Sequence, residues 1–140
     1  MKVIVCVDDN LGMLFNKRRQ SRDAKVIEDI FKMTERLWIH PFSDKLFLDH
    51  DGRVVVDEEF LGKAGRGEFC FVENQQLAPY SDKIEQIILY KWNRKYPSDF
   101  KLDVNLKDWE LIERIEFEGS SHEKITREVT TQERRSGMIF

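Results

Sequence analysis

The sequence predicts an α/β fold in which a mostly parallel sheet ends in an antiparallel hairpin and carries about four flanking helices. Short apolar runs alternate with segments of helical periodicity along most of the chain, which is the order that builds a parallel sheet. The last two apolar segments instead alternate apolar with charged residues, as strands with one solvated face do. A length of 140 residues, 41% of them hydrophobic, is typical of one globular domain.

The first half of the chain contains the opening strand and the longest predicted helix. Val and Ile are dense in residues 2–7, which predicts a buried strand. Apolar residues at helical spacing across 26–33 predict a helix that Ser21 or Asp23 caps. Arg36 is expected near the last carbonyls of that helix. The next segments predict a strand at 37–40 ended by Pro41, a short helix at 42–48 capped by Ser43, a strand at 53–56 and a short helix at 57–64.

The second half predicts two more buried strands and the hairpin. Residues 69–72 and 85–92 are dense in apolar side chains and predict strands. Between them we expect a helix at 77–84, because Pro79 is tolerated in a first turn. The hairpin strands are predicted at 109–117 and 125–130, separated by Gly119-Ser120-Ser121. We expect residues 1–132 to form a single domain and the aperiodic residues 133–140 to form a disordered tail.

Composition and charge exclude several classes of function. The formal net charge of −3 gives no general attraction to nucleic acid, so we expect no double-stranded nucleic acid partner. No run approaches the ~20 apolar residues of a membrane helix, and the N-terminal apolar run is too short for a signal peptide. We therefore expect a cytoplasmic protein without a membrane partner. Cys6 and Cys70 lie in apolar runs and are expected to be buried, reduced thiols.

In their order and spacing, these segments resemble the dihydrofolate reductases over about residues 2–132. The similar pieces are Gly12-Met13 after the first strand, the helix at 56–64, the strand at 69–72, the helix with Pro79 and Tyr80, the strand at 87–90, and residues 96–99 and 108–110 before the hairpin. The resemblance implies the fold of that family. A sheet of this kind places its ligand crevice at the carboxyl ends of the strands.

The chain departs from that family where the family binds its nicotinamide cofactor. Glu73-Asn74 stands in place of a Gly-Gly pair, and a carboxylate there repels the pyrophosphate of the cofactor. His40-Pro41 replaces a Gly-Arg pair, and little chain remains before Arg53 for the adenosine half. We therefore expect no cofactor, and in particular no NADPH binding in the manner of the family.

The opening segment 7–23 also resembles small bacterial proteins that carry the label ribonuclease Z. That label implies a zinc site built from a histidine-rich motif. His40, His50 and His122 each lack a histidine neighbour at the spacing of zinc ligands. The sequence therefore predicts no metal site of that kind.

A cluster of basic and polar residues predicts a ligand site at the carboxyl ends of the strands. The planar guanidinium groups of arginines can make paired hydrogen bonds to phosphate or carboxylate groups. An aromatic ring at a strand end can stack on a nucleotide base or a pterin-like ring. The candidate ligand-binding residues are Asp9, Asn16, Arg18, Arg19, Gln20, Ser21, Arg22, Trp92 and Arg94. The alternative interpretation is a solvated basic turn at 17–19 paired with nearby acids, with Trp92 in the core.

Two carboxylate positions are candidates for catalysis. Asp8 and Asp9 together suit Mg²⁺ binding or acid and base chemistry, but adjacent strand residues face opposite sides, so one of them is expected to face the crevice. By the resemblance, the pterin-binding carboxylate of the reductases falls on the apolar residues 26–27. Asp23 and Glu28 are the nearest carboxylates that can substitute for it, and Asp23 is the candidate we retain.

His122 is the third catalytic candidate. Ser120-Ser121 precedes it and Glu123 follows it, which supplies a nucleophile, a base and an orienting acid within one loop. Adjacency in sequence does not give the geometry of a catalytic triad. The alternative is a histidine that serves only the hairpin turn.

These observations leave three hypotheses of function. The leading one is a binding protein for a small anionic, nucleotide-like ligand in a reductase-like crevice without a cofactor. The second is an enzyme that cleaves phosphoesters, RNA among them, with the arginine-rich loop stabilising charge. The third is a protein-interaction or inhibitor module that uses the hairpin at 109–132. A reductase that uses NADPH by a changed route is a further alternative, opposed by Glu73-Asn74.

Overall fold

The computed structural model describes residues 1–132, and the tail predicted for residues 133–140 lies outside them. The strands are β1 Lys2–Val7, β2 Gly12–Phe15, β3 Arg18–Arg19, β4 Leu37–Ile39, β5 Val54–Val56, β6 Phe69–Phe71, β7 Gln86–Lys91, β8 Phe100–Lys101, β9 Glu110–Phe117 and β10 Ile125–Thr131. The α-helices are α1 Ala24–Met33 and α2 Phe60–Lys63. Three 3₁₀ helices span Pro41–Arg53, Ala78–Lys83 and Leu106–Asp108. Within this part of the chain, no helix is long and apolar enough to cross a membrane.

The main sheet has seven strands in the order β5-β4-β6-β1-β7-β10-β9. The first five strands pair in parallel, and β10 and β9 complete the sheet in antiparallel pairing. The predicted fold class, a mostly parallel sheet with an antiparallel hairpin at its end, is therefore confirmed. Because the parallel strands run in one direction, their carboxyl ends meet at one edge of the sheet.

A second, three-stranded sheet in the order β3-β2-β8 was not predicted from the sequence. Its strands are short, and the chain reverses between β2 and β3 at Asn16 and Lys17, whose φ angles are 52° and 61°. Positive φ at both central residues is the geometry of a tight hairpin turn that matches the twist of the strands. The segment predicted as a basic loop is thus a hairpin that stands over the carboxyl edge of the main sheet.

Two apolar cores cover the two faces of the main sheet. Alternate residues of β1 enter different cores, as the pleat of a strand requires, with Ile4 on one face and Val5 on the other. Val26 and Ile30 of α1 pack in the core that contains Ile4. Phe60 of α2 packs in the core that contains Val5. The helix α1 therefore lies on one face, with its first turn at the edge where the parallel strands end.

The predicted helices at 42–48, 57–64 and 77–84 need correction. The first is a 3₁₀ helical segment from Pro41 to Arg53 with a kink where Phe47 and His50 have non-helical backbone angles, and the third is a 3₁₀ helix from Ala78 to Lys83. Nδ1 of His40, not Ser43, accepts the N–H of Phe42 at 3.0 Å. The second helix begins later, because Oδ1 of Asp57 accepts the N–H of Glu59 at 2.7 Å and holds a turn before α2.

The end of α1 also differs from the prediction. Arg53, rather than Arg36, donates to the carbonyls of Phe31 at 2.9 Å and Thr34 at 2.8 Å. Its guanidinium also lies over the Phe31 ring, 4.6 Å from the ring centroid. The start of α1 agrees with the prediction, because Oδ1 of Asp23 accepts the N–H of Lys25 at 2.9 Å and caps the helix.

Both cysteines are free thiols. Burial raises the pKa of Cys70 to about 12 and raises the pKa of Cys6 further, with the nearby Glu73 carboxylate adding to the effect on Cys6. A thiol that holds its proton this firmly is a poor nucleophile at neutral pH. The chemistry of the carboxyl edge must therefore come from other side chains.

Two leucines offer a matched test of the packing. We expect Leu37→Ala to lower the free energy of unfolding by about 2–5 kcal/mol, because Leu37 is fully buried in β4 and its loss leaves a cavity. We expect Leu48→Ala to change it by about 0.5 kcal/mol or less, because that side chain is 62% exposed. Urea unfolding followed by circular dichroism measures both values. Equal losses in the two variants would contradict the placement of β4 in the core.

Candidate functional site

A pocket lies between α1 and the carboxyl edge of the main sheet. Its inner wall is apolar and includes Cys6, Ile30 and Phe71. Its polar lining comes largely from residues that the sequence predicted for ligand binding: Arg19, Gln20, Ser21, Arg22 and Trp92, together with Asp23 and Glu73. The pocket contains about 430 Å³ between atoms, part of it open to solvent, and only a small fraction of this space is wide enough for a water molecule. An apolar wall with a few convergent polar groups is typical of small-molecule sites.

An ion pair between Arg19 and Glu73 lies on one side of this pocket. Two of the guanidinium nitrogens of Arg19, Nε and Nη2, donate to the Glu73 carboxylate, Nη2 at 2.7 Å. Ser43 Oγ donates to the same carboxylate at 2.7 Å. The hydrogen bond to Glu73 raises the pKa of Arg19 above its ordinary value. Two-point pairing of this kind satisfies a carboxylate that is only 8% exposed.

A chain of hydrogen bonds joins Asp23, His122 and Ser21. Nδ1 of the His122 ring lies 3.0 Å from Oδ2 of Asp23, and Nε2 lies 3.0 Å from Oγ of Ser21. A carboxylate only accepts hydrogen bonds, so Nδ1 of His122 is the donor to Asp23. In the neutral ring, Nε2 is then an acceptor that faces the Ser21 hydroxyl. Asp23 and His122 are buried, while Ser21 is half-buried on the pocket wall.

The Asp23 carboxylate accepts hydrogen bonds from backbone N–H groups as well as from the His122 ring. The backbone N–H groups of Ser120 and Ser121 donate to it at 2.9 and 2.8 Å, in addition to the capping bond from Lys25. Burial alone would raise the pKa of Asp23, but these three N–H donors and the ring of His122 outweigh that effect and hold the pKa well below its ordinary value. Asp23 is therefore an anion at neutral pH.

Close packing around Asp23 explains the glycine in the hairpin loop. A Cβ atom on Gly119 would lie 2.5 Å from Oδ2 of Asp23 and 2.7 Å from the carbonyl oxygen of His122. Neither contact is possible for a real side chain. The absence of a side chain at this position allows the loop of β9 and β10 to approach the start of α1.

Two aromatic side chains complete the surroundings of His122. The indole of Trp92 stacks on the imidazole with ring centroids 4.6 Å apart and an angle of 20°. The Tyr96 hydroxyl lies 3.1 Å from Nε2, so it shares this nitrogen with Ser21. Trp92, a predicted ligand residue, is instead buried in the apolar core, as the alternative interpretation proposed, and its stacking fixes the plane of the imidazole. The Tyr96 contact had no signal in the sequence beyond its position after β7.

Asp8 and Asp9 have different environments, as adjacent residues at a strand end should. Asp8 is buried, and its Oδ1 accepts the N–H groups of Asn10 at 2.8 Å and Gly12 at 2.7 Å. Its Oδ2 accepts from Nε2 of Gln20 at 2.9 Å. The Asp9 side chain is exposed. Asp8 therefore holds the turn before β2 and does not line the pocket.

Outside the pocket, an open cleft lies along the β2–β3 hairpin. Phe15, Asn16, Arg18 and Tyr96 are among the residues that line it, and Arg19 and Gln20 belong to both the cleft and the pocket. The cleft contains about 860 Å³, including space open to solvent. Arg94, another predicted ligand residue, is exposed and lines neither the pocket nor the cleft.

Gln20 connects the pocket with the cleft and leaves one atom without a partner. Its Nε2 donates to Asp8 and, at 3.1 Å, to the carbonyl of Pro97. Its Oε1 is buried and has no hydrogen-bond partner within residues 1–132. Leaving such an acceptor unsatisfied costs about 1–3 kcal/mol.

The remaining histidines have structural contacts. His40 caps the 3₁₀ helix described above, and the His50 ring stacks on Phe31 with centroids 4.5 Å apart. Among residues 1–132, no group of three or more His, Cys, Asp or Glu side chains is placed to hold a metal ion.

The low pKa of Asp23 predicts a pH dependence of stability. We expect Asp23→Asn to lower the free energy of unfolding by roughly 1.5–3 kcal/mol at neutral pH, the range for hydrogen bonds to a charged group. Because the pKa of Asp23 is lower in the folded state, its contribution is complete above about pH 4 and is lost as the pH falls below that value. The difference between wild type and variant should therefore shrink between about pH 4 and pH 2.

Urea unfolding at a series of pH values measures this difference. Asp9→Asn is the matched control, because the Asp9 carboxylate is exposed. A difference that stays constant down to about pH 2 would contradict the hydrogen-bonded, ionised state of Asp23.

Comparison with known proteins supports the fold. No family model matches the sequence, and no curated protein matches it, so the resemblance to proteins labelled ribonuclease Z stays a prediction. A solved structure similar to this chain is the dihydrofolate reductase from Enterococcus faecalis complexed with NADP(H) and RAB-propyl. The TM-score is 0.64, the identity is 10%, and the match covers 93% of this chain and 94% of the reductase. At this identity the likeness establishes a dihydrofolate reductase-like fold.

Proposed function

We propose that the protein binds a small anionic, nucleotide-like ligand at the pocket and the adjoining cleft. The observation that carries this proposal is the position of Arg18 and Arg22 at the openings of the two cavities. Both side chains are exposed, and neither pairs with a carboxylate within the described residues. Guanidinium groups without a protein partner are available for a phosphate or carboxylate group.

The uncharged part of the ligand is best matched by an aromatic heterocycle. Phe15 and Tyr96 line the cleft beside Arg18 and offer ring faces for stacking. The unsatisfied Oε1 of Gln20 favours a ligand that carries an N–H donor. Because only a small fraction of the pocket is wide enough for a water molecule, we place the ring in the cleft. A base or a similar ring joined to a phosphate meets these requirements.

The residues present do not suit the nicotinamide cofactor of the reductases. Glu73 follows β6 and places a buried carboxylate where that family has the glycine pair for the pyrophosphate. Arg19 and Ser43 already bind this carboxylate, so the Arg19 guanidinium is not free to pair with a pyrophosphate. Burying a pyrophosphate against a carboxylate is unfavourable. We therefore propose a ligand site that works without NADPH.

The exposed side chains of β9 favour a protein partner as a second candidate function. Leu111, Ile112 and Ile115 expose large apolar side chains on this edge strand. An edge strand with apolar side chains is a common site for strand pairing with another chain. The charged residues between them, Glu113 and Arg114, oppose such pairing, so we rank this function second.

The binding proposal is tested by isothermal titration with nucleoside monophosphates and with the corresponding nucleosides. We expect the phosphorylated compounds to bind more tightly, and Arg18→Ala to weaken their binding by about tenfold or more, as loss of one charge-assisted hydrogen bond does. Arg66→Ala is the matched control, because Arg66 is exposed in the loop before β6, away from the carboxyl edge.

Two results would contradict the proposal. One is equal weakening by Arg18→Ala and Arg66→Ala, which would show non-specific attraction. The other is the absence of binding by any nucleotide in the panel together with co-purification of a protein partner that Leu111→Lys abolishes, which would favour the function of β9.

A separate titration tests the cofactor. We expect NADPH to show no saturable binding and no protection from thermal unfolding, because Glu73 opposes the pyrophosphate. Fluorescence of the reduced nicotinamide during titration measures this directly. Tight binding of NADPH by the wild-type chain would show that the Arg19–Glu73 pair opens for a cofactor.

A further inference from the structure

The hydrogen-bonded chain of Ser21, His122 and Asp23 has the arrangement of a catalytic serine site, which ligand binding alone does not require. We propose that Ser21 is a nucleophile activated by His122, with Asp23 as the positioning residue, and that the protein hydrolyses small carboxylic esters that carry an anionic group. The anionic part of this substrate rests on the proposed function. The nucleophile rests on the geometry of the three side chains alone.

The three side chains contact one another in the order of a catalytic triad, with Ser21 as the nucleophile, His122 as the base and Asp23 as the carboxylate that positions the base. The Ser21 hydroxyl faces Nε2 of His122 at 3.0 Å, and the opposite nitrogen faces the Asp23 carboxylate at 3.0 Å. An ionised carboxylate on Nδ1 fixes the tautomer in which Nε2 has a free lone pair for the serine proton. It also stabilises the imidazolium that forms when that proton arrives.

The position of each group suits its role. Ser21 is half-buried on the pocket wall, so part of this residue stays accessible to a small substrate from the solvent. His122 is 5% exposed and Asp23 is 2% exposed, so both lie beneath the surface and away from competing water. Trp92 stacks on the imidazole and holds its plane. Arg22 follows Ser21 in the chain and lines the same pocket, so it is available for the anionic group of the substrate.

The proposed reaction balances without a cofactor. Ser21 Oγ forms a bond to the carbonyl carbon while its proton moves to Nε2 of His122. The bond from that carbon to the alcohol oxygen breaks, and His122 returns the proton to the leaving alcohol. Water then attacks the acyl-serine through the same base, which releases the carboxylic acid and restores the Ser21 hydroxyl.

The Tyr96 hydroxyl competes with Ser21 for the same nitrogen. It lies 3.1 Å from Nε2, and one lone pair accepts one good hydrogen bond at a time. Removal of this hydroxyl should therefore leave Nε2 free for Ser21. We expect Tyr96→Phe to keep or increase the reactivity of Ser21, which distinguishes a serine nucleophile from a tyrosine nucleophile.

The test is labelling with an alkyl fluorophosphonate, in which serine Oγ bonds to phosphorus and fluoride leaves with the serine proton. We expect the intact protein to gain the mass of one phosphonyl group, with peptide mapping to Ser21. Ser21→Ala should abolish the label, and His122→Gln should slow it by about a hundredfold or more. Ser121→Ala is the matched control. Ser121 is exposed in the β9–β10 loop next to His122, and it contacts Asp23 through its backbone N–H, not through its hydroxyl.

A pH profile separates a positioning role of Asp23 from a purely structural one. The titratable side chains against the His122 ring are Asp23 and Tyr96. We expect the pH of half-maximal labelling to be lower in Asp23→Asn than in wild type, because the imidazolium loses its anionic partner. Circular dichroism confirms that each variant is folded, and Ser21→Ala leaves the pair of Asp23 and His122 intact.

The possible outcomes give separate answers. Absence of a label on wild type, a label on Tyr96, or a label on Ser21 that His122→Gln does not slow would each overturn the nucleophile. Slowing of the Ser21 label by nucleoside monophosphates supports the substrate class. A Ser21 label that these anions do not slow supports the nucleophile and contradicts the anionic ligand of the proposed function.

Discussion

The buried Asp23 carboxylate holds together the parts of the chain that form the site. Burial of a carboxylate is tolerated where hydrogen bonds replace the water that it loses. Here the start of α1 supplies one backbone donor, and the β9–β10 loop supplies two more together with the His122 ring. The same contact caps a helix, closes a loop that needs Gly119, and fixes the orientation of the imidazole.

The dihydrofolate reductase-like fold does not by itself determine the chemistry at its carboxyl edge. A mostly parallel sheet brings its strand ends to one place, and the side chains there decide what can bind. In this chain the place after β6 carries Glu73, held by Arg19 from the β2–β3 hairpin. Arg22 lines the pocket and Arg18 lines the cleft.

The sequence predicted those features that depend on local pattern. The density of Val and Ile predicted β1, and the apolar spacing after two candidate caps, Ser21 and Asp23, predicted α1. Burial and capping leave such signals in neighbouring residues. The β2–β3 hairpin was missed, since its two-residue strand and its turn of Asn16 and Lys17 have no such pattern.

The structure brings Ser21, Asp23 and His122 together, but the sequence did not predict their contacts. His122 was selected for its neighbours in sequence, whereas its partners Ser21 and Asp23 lie about a hundred residues away in the chain. The partnership of Arg19 and Glu73 also spans a long separation. Contacts of this kind follow from topology, which a pattern of single residues does not contain.

The arrangement of protons on His122 is the most direct test of this account. Nitrogen-15 NMR of the imidazole, assigned by loss of the signal in His122→Gln, distinguishes the two neutral tautomers. The account predicts a ring protonated at Nδ1, with a slowly exchanging proton shared with Asp23, and a bare Nε2 that faces Ser21. A neutral ring protonated at Nε2 would contradict it, because the carboxylate would then face a nitrogen with no proton to donate.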